Sequence, residues 1–317
     1  MTIRVTAVAR RGGDRAPPRP RWWGGVVDHL VLLKPRVMSL VVFTGAVGFA
    51  LAPAPFDWPK FLAAMSAIAA GAGACGALNM WWDADIDANM ARTAMRPIPR
   101  GVVPPLEALT IGLLLAIVSV AALAVNVNGL SAALLALTIA IYVPLYTMVL
   151  KRWTPLNIVI GGAAGALPPV IGWAAATGSL SAGPIAMFFI TFLWTPPHFW
   201  ALALCRSGDY ERVGVPMLPN VVGHAATCRQ IVIYSALLVP ASLGPLIVPG
   251  VGLVYGATAA AADAVLLWRA LALYRLRDDG DESARRKAAM ALFGFSILYL
   301  FVLFAAMLAE AMLRTRA

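Results

Sequence analysis

The chain has 317 residues, of which 61% are hydrophobic and only 13% charged, and its mean hydropathy is +0.79. Soluble domains are about half apolar and roughly a quarter charged, so these values exclude a soluble globular enzyme and a disordered chain. The net charge of +10 would suit nucleic acid only if the basic residues formed a face on a soluble domain; here they fall between long apolar runs.

Residues 1–24 carry six arginines and the stretch "APPRPRWWGG". Its prolines forbid the amphipathic helix of a transit peptide, and no apolar core of a signal peptide is present. The sequence predicts a disordered basic cytoplasmic tail over 1–30 and one membrane domain over 31–312. Nine apolar segments follow, at about 36–54, 59–82, 104–125, 129–149, 156–177, 183–205, 230–248, 250–273 and 288–310. Each is long enough to cross a hydrocarbon core of ~30 Å.

With the N-terminus inside, the tail and alternate loops hold 22 of the 25 Lys and Arg residues. The opposite connections, "VNVNG", "TGSLSAG" and "VPGVG", are uncharged. The positive-inside rule then puts the N-terminus in the cytoplasm. The basic pI is thereby explained without nucleic acid. Cys75, Cys205 and Cys228 form no CxxC pair and are expected as small apolar fillers.

The second segment runs into "NMWWDADIDANMARTAMRPIPRG", residues 79–101. Asn79, Asp83 and Asp87 are spaced i, i+4, i+8, so on a helix they share one stripe, whereas Asp85 points elsewhere. Pro97 and Pro99 are expected to end that helix by about residue 96. Hard oxygen ligands in a column suit Mg²⁺, which is commonly shared with a substrate phosphate. Arg92 and Arg96, one turn apart, suit phosphate oxygens. The bland alternative is a solvated loop whose Asp and Arg pair with one another.

This motif resembles the first aspartate motif of the UbiA superfamily of intramembrane prenyltransferases. Its "D-x-D-I-D-x-x-M-x-R-T-x-x-R-P" form is similar to the branch that farnesylates haem. The resemblance extends over about 31–305 and implies a UbiA-type helical bundle with cytoplasmic active-site loops. It also implies farnesyl diphosphate and haem B as substrates, haem O and diphosphate as products, and Mg²⁺ as cofactor.

Two further blocks carry the same resemblance. "YTMVLKRWTPLNIVIGGAAGALPPVIGWAA", 146–175, raises Lys151 and Arg152 from positive-inside anchors to diphosphate contacts. Gly161, Gly162 and Gly165 there predict close helix packing, and Pro168 and Pro169 a kink. "FLWTPPHFWALALCRSGDYERVGVPMLP", 192–219, sets His198 inside an apolar span. A lone His is more often a hydrogen-bonded packing residue, but haem as acceptor makes His198 a contact to it. Asp209 and Tyr210 head the second acidic cluster, where most of the superfamily has two aspartates four apart. Position 213 is Val213, so the second ligand there is missing or replaced by Glu211; Asp209 is the fourth expected metal ligand beside Asn79, Asp83 and Asp87.

Tyr146 and Tyr210 are expected at the substrate, and the ring faces of the aromatics that flank these motifs suit an allylic cation. Asp263, within the eighth segment, is expected to bond a facing helix. No Ser–His–Asp or Cys–His pattern calls for a covalent nucleophile. Two rival readings share parts of this pattern. A sister prenyltransferase with a quinone-precursor or chlorophyll-type acceptor shares the Asp stripe but has no need of "TPPHFW". A cation-coupled transporter predicts acids near the midplane and internal repeats, whereas these acids gather at one surface beside arginines. The expected location is a bacterial cytoplasmic membrane, with a haem A synthase as a partner.

Overall fold

The computed structural model describes residues 21–278 and 280–314. Among them only helices and their connections occur: α1 Arg21–Leu32, α2 Pro35–Ala50, α3 Trp58–Trp82, the short α4 Ala84–Asp87, α5 Pro105–Asn126 and α6 Gly129–Ala140. The last of these continues as a π-helical stretch, Ile141–Leu150, and a final turn, α7 Lys151–Trp153. Then come α8 Asn157–Ala166, α9 Pro168–Thr177, α10 Ala182–Leu204, α11 Ser207–Arg212, α12 Leu218–Leu243, α13 Leu253–Arg275 and α14 Glu282–Arg314.

Local sequence accounts for most of the boundaries. Proline in the first turn opens α2, α3, α5, α9 and α12, where its missing N–H costs nothing and its fixed φ favours the helix. Asp57 caps α3 by accepting from the Lys60 N–H, and Asn128 caps α6 by accepting from the Ser131 N–H. Pro144 lies inside the π-helical stretch, where the wider turn absorbs a residue that an α-helix resists.

Eight of the described helical runs are long and apolar enough to cross a membrane. A ninth crossing results if Gly25–Leu32 and Pro35–Ala50, bent by 48°, are taken together. The outer face of α5 exposes Leu113, Leu114, Ile117, Val118 and Val125, an apolar surface that suits lipid. The protein is a multi-pass membrane bundle.

Two packed groups of helices meet in the bundle. One core gathers residues of α10, α12, α13 and α14, including Trp200, Tyr255, Tyr299 and Phe304. The other gathers α2, α3, α5, α6 and α9, including Phe49, Ile68, Leu123 and Ile171. Helices α2 and α9 contribute to both cores, through Val47 and Trp173 to the first, and pack against one another along a seam. A Cβ at Gly48 would collide with the Pro169 carbonyl, and one at Gly172 with the Gly45 carbonyl. Small residues there let two backbones touch, as they do in membrane helix pairs.

Three expectations change. The tail boundary at 30 falls inside α1, so the chain is already helical from Arg21; residues 1–20 lie outside the described residues. The helix carrying the aspartates stops at Asp87 instead of near residue 96. Its last carbonyls are taken by side chains: Asn89 Nδ2 donates to Asp85 O and Thr93 Oγ1 to Asp87 O, which ends the ladder before the prolines are reached. The seventh crossing begins at Leu218, well before 230, and bends at Gly223, whose φ is +82°.

Candidate active site

One end of the bundle collects the C-terminus of α3, the loop 88–104, the end of the π-helical stretch and the α10–α12 connection. Asn79 sits in the last turn of α3. Backbone bonds from the Asp83 N–H to Asn79 O and from the Asp87 N–H to Asp83 O carry the helical register through α4. The three side chains therefore share a face and are 5%, 0% and 2% exposed. Asp85, off that face, has a side chain 61% exposed.

Each member of the buried column meets a cation from elsewhere in the chain. Lys34 Nζ donates to Asn79 Oδ1 at 2.6 Å. Lys151 Nζ donates to Asp83 Oδ2 at 2.5 Å. Arg96 Nη1 donates to Asp87 Oδ2 at 2.5 Å. Within the column, Asn79 Nδ2 donates to Asp83 Oδ2 at 2.7 Å and to Thr147 Oγ1 at 3.2 Å. Arg152 grips the outward Asp85 with two hydrogen bonds, 2.9 and 2.8 Å, donates to the Trp82 carbonyl, and lies 5.9 Å over the Trp82 ring. That guanidinium holds the Asp85 carboxyl below the usual carboxylate range.

These contacts fit a divalent cation bound together with a diphosphate. Asp83 Oδ1 is fully buried and has no hydrogen bond; Arg152 Nη2 stands 3.8 Å from it. An unpaired carboxylate oxygen in a buried site is costly, and a hard cation is the ligand that would satisfy it. Among the described residues no three His, Cys, Asp or Glu side chains form a cage unaided. The donors here are two carboxylates and an amide, and each of the three accepts a hydrogen bond from an ammonium or guanidinium group.

The remaining expected residues divide. Tyr146 stands beside the column because Gly161 leaves room for its ring. It packs, with Tyr210 and Val213, onto a cluster of Ile86, Ile158, Ala203, Val215 and Met217. The α11 loop thus rests on α4. Asp209 pairs with Arg212 at 3.6 Å on its own helix, and among the described contacts none joins it to Asp83 or Asp87. Arg92 is exposed, with no ion pair among the described residues. Gly162 makes room for Thr195, whereas Gly165 faces open space.

His198 is held among aromatic rings. Its ring is stacked between Trp194, at 4.3 Å, and Phe293, at 4.6 Å, and meets the edge of Phe199. Its Nδ1 lies 2.7 Å from Ser296 Oγ, and Trp194 Nε1 donates to Ser296 O. Of its two readings, the hydrogen-bonded packing residue is the one this geometry supports. Asp263 behaves as expected, accepting from Ser242 Oγ on α12 and from Tyr299 OH on α14.

Two residues of the site escape sequence reasoning. Lys34 counts there only as one more positive-inside residue, although a lysine directly before a proline at the head of an apolar run was the available signal. Thr147 is a single hydroxyl within "YVPLYTMVL", marked only by Pro144 three residues earlier.

Comparison with known proteins bears on this arrangement. The profile of the UbiA prenyltransferase family matches residues 41–297. The Mesorhizobium japonicum protein named protoheme IX farnesyltransferase 2 is 56% identical over 284 residues, 90% of each chain. A solved structure from work on digeranylgeranylglyceryl phosphate synthase in membranes superposes with a TM-score of 0.74 at 18% identity, covering 90% of this chain and 98% of that one. A UbiA homologue from Archaeoglobus fulgidus bound to GPP and Mg²⁺ does so with a TM-score of 0.63 at 19% identity, over 88% and 99%. At those identities the structures speak for the fold.

Proposed function

The chain belongs to the UbiA prenyltransferase family, and on that footing we propose that it transfers the farnesyl group of farnesyl diphosphate to a vinyl group of haem B, giving haem O and diphosphate. The observation that carries the reading is the buried column Asn79–Asp83–Asp87, matched member for member by Lys34, Lys151 and Arg96. The haem acceptor is supported by relatives of 56% identity that bear the name protoheme IX farnesyltransferase.

Arg92, Arg96, Lys151 and Arg152 bind the diphosphate oxygens and neutralise the charge that grows as the C1–O bond breaks. Mg²⁺, held by Asn79, Asp83 and Asp87 with Asp209 from the α11 loop, would supply further charge neutralisation to the leaving diphosphate; the Archaeoglobus fulgidus homologue described with GPP and Mg²⁺ supports that choice of metal. The bond's electron pair leaves with diphosphate. The vinyl π electrons of haem close the new C–C bond on the farnesyl cation. Water then adds to the resulting porphyrin-side cation and loses a proton, leaving the hydroxyl of haem O. Tyr146 and Tyr210 line the apolar approach and keep water from the farnesyl cation, which would otherwise be quenched to farnesol.

The protein's place is a bacterial cytoplasmic membrane with the N-terminus and the site on the cytoplasmic side, the reading favoured by the charge asymmetry of its loops. A haem A synthase, which consumes haem O, is the expected partner.

Incubation of the purified protein with labelled farnesyl diphosphate, Mg²⁺ and either haem B or 4-hydroxybenzoate tests the assignment. The expected product is haem B plus one farnesyl and one hydroxyl group by mass. Farnesylation of 4-hydroxybenzoate alone would move the protein to a quinone-precursor branch.

A further inference from the structure

We infer that Lys34 and Thr147 are positioning residues that fix the orientation of the Asn79 carboxamide, oxygen toward the cation side of the site and nitrogen toward the protein. The inference rests on the reading of Asn79 as a metal ligand and deepens it. An asparagine offers a metal only its oxygen; its NH₂ end is a donor. A carboxamide free to turn over would spend part of its time with the wrong end forward.

The two residues hold opposite ends of the amide. Lys34 Nζ, which can only donate, meets Oδ1 at 2.6 Å. Thr147 Oγ1 receives Nδ2 at 3.2 Å, beside the Asp83 carboxylate at 2.7 Å. Reversing the amide would set NH₂ against an ammonium and oxygen against a carboxylate.

Each holder is delivered by an unusual piece of backbone. Lys34 forms the elbow between α1 and α2 and, among the described residues, is the one non-glycine with positive φ (51°). Lysine adopts that conformation at a cost. The elbow is seated on α3 one turn before Asn79: a Cβ at Gly76 would stand 2.8 Å from the Leu32 carbonyl oxygen, and one at Gly73 would meet the Leu33 side chain at 3.3 Å. Thr147, fully buried, lies in the π-helical stretch. Such wide turns recur at functional sites. Partners that orient a metal ligand commonly change metal affinity 10–100-fold when removed.

The test is calorimetric binding of inorganic diphosphate to the purified full chain at a series of Mg²⁺ concentrations, with thermal unfolding measured alongside. Thr147→Val and Lys34→Met should each raise the half-saturating Mg²⁺ about tenfold, and Thr147→Ser should restore it to near the wild-type value. In an Asn79→Asp background the two ends of the side chain are equivalent, so adding Thr147→Val should change the Mg²⁺ requirement less than about twofold. An equal loss in both backgrounds would mean that Thr147 merely supports the fold, and an unchanged requirement in Thr147→Val would overturn the inference outright. Should Thr147→Val fail to fold, Lys34→Met against Lys34→Arg provides the same comparison. If the wild-type protein takes up no diphosphate at any Mg²⁺ concentration, the reading of the site itself fails, and the inference with it.

Discussion

At the scale of single residues, the separation of Asp83 from Asp85 is the informative contrast. They are two positions apart and both acidic, yet one is fully buried with an unbonded oxygen and the other is exposed in a bidentate pair with Arg152. Asp83→Ala should abolish haem O formation while leaving the protein in the membrane; normal turnover in a product assay would sink the mechanism. Asp85→Asn should change KM for farnesyl diphosphate by about fivefold at most, because an exposed ion pair contributes roughly 0.2–1 kcal/mol. Lys151→Met leaves the Asp83 carboxylate buried without its cation, a change that costs about 3–5 kcal/mol. It should lower the unfolding temperature of the detergent-solubilised protein in the absence of Mg²⁺, and Asp83→Asn in the same chain should recover part of the loss.

At the scale of elements, glycine placement along α2, α8 and α9 decides which helices can touch. Gly48 and Gly172 stand where backbone meets backbone across the α2–α9 seam, whereas nothing lies within 4 Å of where a Cβ on Gly165 would point. Gly48→Leu should therefore separate the two helices, with a loss of about 3 kcal/mol, the upper end of the usual range for an overpacked core. Gly165→Ala should change stability by about 0.5 kcal/mol or less, as surface substitutions do. Thermal unfolding of the two variants side by side checks both. The run "GGAAG" shows close packing in the sequence but not which glycine carries it. Gly161 admits the ring of Tyr146 and Gly162 the side chain of Thr195, and neither partner is adjacent in the chain.

At the scale of the whole molecule, the charge pattern predicts the side on which the site lies. In a cysteine-free background, Arg92→Cys should react with an impermeant maleimide only from the cytoplasmic side, and Ser179→Cys only from the opposite side. Labelling with the reverse pattern in sealed vesicles of known orientation would overturn the positive-inside assignment. The sequence by itself determined most of the spans, since an apolar run of twenty residues has few alternatives to a membrane helix, but not the bent pair at the first crossing or the early start of the seventh. It also determined the Asn79–Asp83–Asp87 stripe, because a period of four on a helix is local geometry. Only the tertiary structure decided which cation meets which acid, that His198 is enclosed by Trp194 and Phe293, and that Lys34 and Thr147 reach Asn79. The contacts of Lys34 and Thr147 with Asn79, of Lys151 with Asp83 and of His198 with Phe293 join residues 45 to 95 positions apart. Such pairings follow from how elbows, wide turns and glycine seams bring helices together, and no local period in the chain records them.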